Sequence, residues 1–254
     1  MTTTTILTHQ SKAETSNAGW LNFYRLAGVT ALLAILVAVT DISLTFLPAG
    51  AEPPGTMTAV DWFNLFQDNW FMGLRNLGLL PNILTLFLLI PTFLALYSVH
   101  RHVNPAYAAL AVVISLVGTA IYLSNNAAFP MWALSTKYAA ATTEAQRNLM
   151  AAAGEAVLAR GEDFQPGSFT GFLFAELATL TISVVMLRGG IFSKTTSYAG
   201  IVGGSFLFIF TVWATFIPVM FEVAMIVAMI GGLASIVWYV LTARRLFQLG
   251  KASQ

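Results

Sequence analysis

Long apolar stretches separated by polar connections dominate the chain. A helix of about 20 apolar residues crosses a bilayer, and six stretches meet that length: residues 20–47, 77–99, 105–127, 168–187, 198–217 and 221–245. The last two come from one run whose single charged residue is Glu222, and we divide it at Pro218 because proline donates no backbone hydrogen bond. The pattern predicts an all-α, polytopic transmembrane helix bundle with six spans.

The two ends of the chain are polar. Residues 1–19 are rich in threonine and show no helical periodicity, which predicts a disordered tail. The apolar run that follows is longer than the roughly 7–15 residues of a signal peptide core, so we expect it to be retained as a span. The predicted organisation is therefore a tail at 1–19, a transmembrane domain at 20–247 and a cytoplasmic tail at 248–254.

Two long connections carry patterns of their own. In the first, Trp62, Phe66 and Trp70 recur at steps of four residues, which predicts a helix with an aromatic face lying in the membrane interface. In the second, Thr143 and Gln146 have the spacing of a capping box, followed by an apolar stripe that predicts an amphipathic helix packed over the bundle as a lid. We expect both amphipathic segments outside the hydrocarbon, on the outer side.

Composition supports a membrane protein and excludes several other classes. Charged residues make up 9% of the chain and hydrophobic residues 57%, against about 25% charged in soluble domains. The net charge of +1 gives no basic field for nucleic acid. Because there is no cysteine, thiol nucleophiles, thiolate metal sites and disulfides are excluded. The lipid bilayer is the expected partner.

The basic residues predict the orientation. With six spans both termini share one side, which holds eight Lys and Arg residues against four on the other side. The positive-inside rule then places both termini in the cytoplasm and both long connections outside, in a bacterial inner membrane.

Small residues recur along one face of several spans. Span one has Ala27, Ala31, Ala34 and Ala38, span three has small residues at similar steps, and span five offers Gly200 and Gly204. Such faces let membrane helices approach closely. They could pack within the chain or mediate a homo-oligomer.

Acidic residues at membrane depth mark a candidate site. At 1.5 Å per residue, Asp41 lies roughly 9 Å, and Glu176 roughly 10–12 Å, below the outer ends of their spans. Other polar residues lie near the same boundary, so we predict an outward-facing polar pocket in the outer third of the bundle. Its candidate residues are Asp41, Glu176, Asn125, Asn126, Tyr122, Arg75, Asn82 and Glu222.

The pocket has several interpretations. It could be a buried polar network that fixes helix packing, with Arg75 as the counter-charge of the carboxylates. It could bind a small polar or cationic ligand or an ion, as in a transport-like protein. A membrane enzyme acting on a lipid or periplasmic substrate, and a structural or sensor subunit packing a membrane partner, are alternatives. No catalytic motif, cofactor or metal site is predicted, since His100 and His102 in one turn lack a third ligand.

Two segments resemble a known bacterial family. RLAGVTALLAIL opens span one, and MLRGGIFSKTTSYAGIVGG links spans four and five. In these segments the chain resembles the integral-membrane family called domain of unknown function 4386, and the resemblance covers about Tyr24 to Leu246. It implies the six-span architecture and supplies no ligand or catalytic residues.

Overall fold

Helices make up the described part of the protein. The computed structural model describes residues 2–45, 55–217, 219 and 221–251, with the backbone alone at 2–18, 45 and 222. The described residues form no β-strand. Their helices are α1 (Thr2–Thr45), α2 (Ala59–Asp68), α3 (Trp70–Asn76), a π-helical segment (Leu79–Leu84), α4 (Thr85–His100), α5 (Pro105–Asn125), α6 (Ala128–Ala140), α7 (Glu144–Gly161), α8 (Phe169–Gly189), α9 (Lys194–Phe216) and α10 (Phe221–Lys251).

Within the described ranges, six helices are long and apolar enough to cross a membrane. They are α1, the π segment continued by α4, α5 continued by α6, α8, α9 and α10. These helices fall on the six predicted stretches, so the all-α six-span prediction is confirmed. The chain reverses between Phe216 and Phe221, which is the hairpin predicted from Pro218, although Pro218 itself lies outside the described residues.

Helices extend into both of the predicted tails. The backbone of α1 is helical from Thr2, and α10 continues to Lys251. Residues added to an existing helix need no new nucleus, so a long apolar span can extend into a polar segment of weak helix propensity. The helical ends therefore reach beyond the apolar part of each span.

The six spans form a ring in chain order. Helix α1 packs on α4, α4 on α5, α5 on α8, α8 on α9, α9 on α10, and α10 returns to α1. Trp238 of α10 is fully buried in the interior of this ring, with its ring centroid 6.3 Å from that of Phe93 on α4. The ring order places α1, which carries Asp41, and α8, which carries Glu176, on different sides of the bundle.

Close packing uses the small-residue faces within the chain. Ala27, Ala31 and Ala34 of α1 are fully buried or nearly so, and the Ala27 carbonyl accepts a 3.2 Å bond from Thr92 Oγ1 on α4. A Cβ added at Gly118 of α5 would lie 2.6 Å from Phe174 Cβ on α8. The predicted close approach of these helices is therefore present inside one chain.

Four helices form a cap at one end of the bundle, and one of them, α6, follows α5 after a break at residues 126–127. The cap consists of α2, α3, α6 and α7, which share a hydrophobic cluster separate from the cluster inside the ring. Glu155 of α7 accepts a 2.7 Å bond from the Ala59 backbone at the start of α2, and Glu162 accepts one of 3.2 Å from the Gly55 backbone. We call this the cap end, and the opposite end, which holds Lys251, the basic end.

Both long connections contain helices, which differ from the predicted patterns in two ways. The capping box of Thr143 and Gln146 begins α7 as predicted. Trp62 and Phe66 of α2, however, are buried against the other cap helices and do not form a membrane-facing row. Trp70 belongs to α3, because the side chain of Asn69 caps a new helix by accepting a 3.2 Å bond from Met72 N.

Candidate functional site

Polar side chains meet where the cap joins the bundle. The end of α5 supplies Tyr122, Asn125 and Asn126, the π segment supplies Asn82, and the connection between α7 and α8 supplies Asp163. We call Asn82, Tyr122, Asn126 and Asp163 the junction cluster. Each of its elements comes from a different part of the chain, so the cluster depends on the packed fold.

Asp163 is the centre of the junction cluster. Its Oδ1 accepts a 2.6 Å hydrogen bond from the Tyr122 hydroxyl, and its Oδ2 accepts a 2.7 Å bond from Asn82 Nδ2. Both donors are neutral. Among the described residues, the ion pair that the structure forms is elsewhere, between Arg75 and Asp41. The carboxylate of Asp163 is therefore hydrogen-bonded without a cation bound directly to it.

Asn126 ties the cluster to the start of the second span. Its Nδ2 donates to the Leu77 carbonyl at 2.8 Å and to the Tyr122 hydroxyl at 3.0 Å. Its Oδ1 accepts a 2.9 Å bond from Ala128 N, at the beginning of α6. The Tyr122 oxygen therefore has two partners in the cluster, because it accepts from Asn126 and donates to Asp163.

Gly78 makes room for the cluster. Its φ of +89° lies in the left-handed region that favours glycine. A Cβ at this position would overlap the Tyr122 hydroxyl and would lie 2.9 Å from Asp163 Oδ2. The absence of a side chain thus permits both the turn into the π segment and the approach of the two polar groups.

Asn125 holds the connection that carries Asp163. Its Nδ2 donates a 3.1 Å bond to the Gly167 carbonyl, and its Oδ1 accepts bonds of 3.1 and 3.0 Å from the guanidinium of Arg160. Asn125 therefore acts as a clamp on residues 160–167 and positions Asp163 without touching it.

Phe164 fixes the backbone next to Asp163. It has a φ of +62°, an unfavourable conformation for a side chain of this size. Its ring stacks on Phe172 at 5.3 Å and meets Phe210 edge-on at 5.0 Å. These aromatic contacts anchor Phe164 between α8 and α9 and turn the preceding carboxylate toward α5.

Asp41 and Arg75 form a second polar pair at the same end. Arg75 Nε lies 2.7 Å from Asp41 Oδ1, and Arg75 donates a second 2.7 Å bond to the Asp41 carbonyl. The side chains are 2% and 16% exposed. In this geometry Arg75 is the counter-charge of Asp41.

Burial sets the charge state of the acids in the connection. Removal from water raises the pKa of Asp163 to about 6, and the negative charges of Glu162 and Asp41 act in the same direction. The hydrogen bonds from Tyr122 and Asn82 lower this pKa but do not outweigh burial. Burial also raises the pKa of Glu162. Asp163 therefore changes charge in a range of mildly acidic pH.

Five of the eight predicted site residues lie outside the junction cluster. Asn125 clamps the connection beside it, Asp41 and Arg75 form the separate pair, and Glu176 and Glu222 lie elsewhere. Glu176 is on α8, close enough to Tyr239 of α10 for the two groups to interact electrostatically. Because α1 and α8 lie on different sides of the ring, Glu176 and Asp41 do not meet although their depths match. Glu222 lies at the start of α10, and its side chain is outside the described residues.

The chemistry available at the junction is that of a proton-binding group. The described residues hold no cluster of three His, Cys, Asp or Glu side chains able to bind a metal ion. Two surface crevices formed by described residues lie at the basic end, away from the junction. The polar atoms of the cluster bond to one another, and the group among them that can take up a proton is the Asp163 carboxylate.

Asp163 is absent from the residues predicted from the sequence, because a connection between helices has no periodicity that gives the direction of a side chain. The neighbouring polar ends of spans two and three, Asn82 and Asn126, were the available signal.

A ring of six helices, each long and apolar enough to cross a membrane, defines a multi-pass integral membrane protein. The particular family follows from comparison with known sequences. The chain belongs to the family described as domain of unknown function 4386, whose model matches residues 26–241. No curated protein and no solved structure matches the chain.

Proposed function

We propose that this membrane protein is a non-enzymatic ion-binding protein, transport-like in its arrangement, in which the ion bound at the junction cluster is a proton. The observation that carries the proposal is the carboxylate of Asp163, which is partly buried and held by two neutral donors, Tyr122 and Asn82. A carboxylate in such a place gains a proton more readily than one paired with a cation.

Protonation would change the hydrogen bonds of the junction. Charged Asp163 accepts from both Tyr122 and Asn82. A protonated carboxyl group has one O–H donor, so one of its oxygens must face an acceptor. The Tyr122 oxygen is the acceptor at hand, and its own proton then needs another partner. Binding of a proton therefore alters the link between α5 and the connection to α8.

The proposed orientation places the cap outside the cell and the basic end in the cytoplasm of a bacterium. The described side chains at the basic end include seven Lys and Arg residues and no carboxylate: Arg25, Arg101, Arg188, Lys194, Arg244, Arg245 and Lys251. The acids that the structure describes lie at the cap end or, in the case of Glu176, within α8. This asymmetry supports the orientation through the positive-inside rule, and the junction cluster then faces the outer compartment.

Infrared difference spectroscopy of the purified full-length protein tests the proposal. Between pH 8 and pH 5, we expect the carbonyl band of protonated, buried carboxyl groups to appear in the parent and to lose the component of Asp163 in Asp163→Asn. Asp68→Asn is the matched control, because Asp68 is exposed at the end of α2, and it should retain the band. If Asp163→Asn keeps the whole band, the proposal is wrong.

A panel of cations separates a proton site from a site for larger ions. We expect Na⁺, K⁺, Mg²⁺ and choline at constant ionic strength and pH 8 to leave the thermal unfolding midpoint of the parent unchanged relative to Asp163→Asn. A selective rise in the parent with one of these ions would assign the cluster to that ion and overturn the assignment to a proton.

A further inference from the structure

A crevice runs along the outside of the bundle between α1 and α10, at the basic end. It has a volume of about 360 Å³ and is lined by Leu32, Val240, Arg244, Phe247, Gln248 and Lys251. Arg25 of α1 donates a 3.0 Å bond to the Gly250 carbonyl, so the two helices remain in contact at the end of the crevice. The crevice therefore extends from the end of α10 inward along the membrane-spanning part.

The walls of the crevice change character along its length. Leu32 and Val240 are apolar and more than 40% exposed, at the inner end. Arg244, Gln248 and Lys251 follow at spacings of three and four residues, on the same side of α10. A bound molecule would contact apolar side chains at the inner end of the crevice and polar side chains at the end near the boundary of the bilayer.

Both cations of the crevice are exposed and make no polar contact with the side chains and backbone that the structure describes. Neither Arg244 nor Lys251 makes a hydrogen bond or an ion pair within the described residues. The neighbouring Arg245, in contrast, donates to the Ile191 carbonyl at 2.9 Å and to Gln248 at 3.2 Å. Arg245 is therefore used by the fold, whereas Arg244 and Lys251 remain available for an anion.

We propose that this crevice binds an anionic phospholipid from the leaflet at the basic end. The phosphate lies against Arg244 and Lys251, and one acyl chain follows Phe247 and Val240 toward Leu32. Basic pockets between membrane helices bind such headgroups through charge, while the apolar groove holds the chain by burial. The proposal concerns a different end of the molecule from the junction cluster and stands without it.

The charge distribution favours a lipid over a second copy of the chain. A parallel copy would bring its own basic end to the crevice, where the described side chains include no carboxylate to pair with Arg244 and Lys251. A second crevice, between α5 and α8, has a similar apolar wall but a single cation, Arg188. The crevice with two unpaired cations is thus the better match for a phosphate.

The test measures the thermal unfolding midpoint of the purified full-length protein in an uncharged detergent. Phosphatidylglycerol or phosphatidylcholine is added at the same mole fraction. We expect phosphatidylglycerol to raise the midpoint more than phosphatidylcholine, and Arg244→Gln/Lys251→Gln to lose at least half of that difference. Lys194→Gln is the matched control, because Lys194 is an exposed cation at the same end and outside the crevice, and it should keep the difference.

A second variant tests the acyl-chain part of the crevice without changing charge. Leu32→Trp enlarges an exposed wall residue, and we expect it to reduce the phosphatidylglycerol effect while the midpoint without lipid stays within the range of the parent. Equal losses in the double variant and Lys194→Gln would indicate general attraction to charge and overturn the proposal. A full effect from glycerol 3-phosphate alone would also overturn it, because a free anion would then suffice.

Discussion

The Tyr122 hydroxyl donates a 2.6 Å hydrogen bond to Asp163 across a separation of 41 residues in the chain. This bond joins the third span to the connection that leads into the fourth. Because the donor is at the end of α5, the pKa of Asp163 depends on Tyr122. Substitution of either residue should therefore alter the pH response of the junction.

Replacement of Tyr122 by Phe removes the donor and keeps the aromatic ring. Because this hydrogen bond lowers the pKa of Asp163, we expect the pH midpoint for protonation of Asp163 to rise above its parent value of about 6. The carboxyl infrared band, followed as a function of pH, measures that midpoint. An unchanged or lower midpoint would contradict the role assigned to the bond.

Stability should fall in the parent as pH rises through the range in which Asp163 loses its proton. The pKa of Asp163 is about 6 in the folded protein against 3.8 for the free group, so the folded state binds more protons and loses relative stability between about pH 4 and pH 6. At about 1.4 kcal/mol per pKa unit, the loss is at most about 3 kcal/mol.

Asp163→Asn should remove most of this pH dependence while Asp68→Asn keeps it. Chemical unfolding in detergent at a series of pH values gives the comparison. If the parent and Asp163→Asn have parallel stability curves from pH 4 to pH 7, Asp163 is not the responsible group.

The pair formed by Asp41 and Arg75 should show strong coupling. Arg75→Gln leaves a largely buried Asp41 without its counter-charge, and loss of one partner from a buried pair costs about 3–5 kcal/mol. Asp41→Asn/Arg75→Gln leaves no unpaired charge and should cost less than the sum of the single variants by at least about 1 kcal/mol. Unfolding free energies of all four proteins give the coupling, and additive losses would argue against a tight pair.

Gly78 and Gly190 separate the cost of a positive φ from the cost of a steric overlap with the junction cluster. Both have a positive φ, +89° and +65°, but an added Cβ would meet the junction cluster at Gly78 and nothing within 4 Å at Gly190. Gly190→Ala should therefore cost only the conformational penalty, about 1 kcal/mol. Gly78→Ala should cost at least twice as much and should displace Asp163 from Tyr122. Equal losses in unfolding free energy would show that the cluster tolerates the methyl group.

The spans could be predicted because bilayer thickness and helix rise set a length that apolar runs must satisfy. The ion pair of Arg75 with Asp41 could be anticipated for a related reason, since a carboxylate at membrane depth requires a partner. Thr143 and Gln146 show that local capping chemistry is also readable from a short motif. In each case one physical requirement acts on few residues.

The composition of the site could not be predicted in the same way. Depth along a helix placed Asp41 and Glu176 at one level, but the side of the ring on which each helix lies depends on packing between spans. The position of Asp163 depends on the positive φ of Phe164 and on the clamp made by Asn125. Such long-range contacts leave no periodic pattern in the sequence.

The cap has a consequence for how the protein is made. Its helices come from two connections, with α2 and α3 before the second span and α6 and α7 after the third. The shared hydrophobic cluster of the cap can form only when both connections have reached the same side of the bilayer. Assembly of the cap must therefore follow membrane insertion of the first three spans. Until then, Trp62 and Phe63 of α2 lack their contacts with α6 and α7.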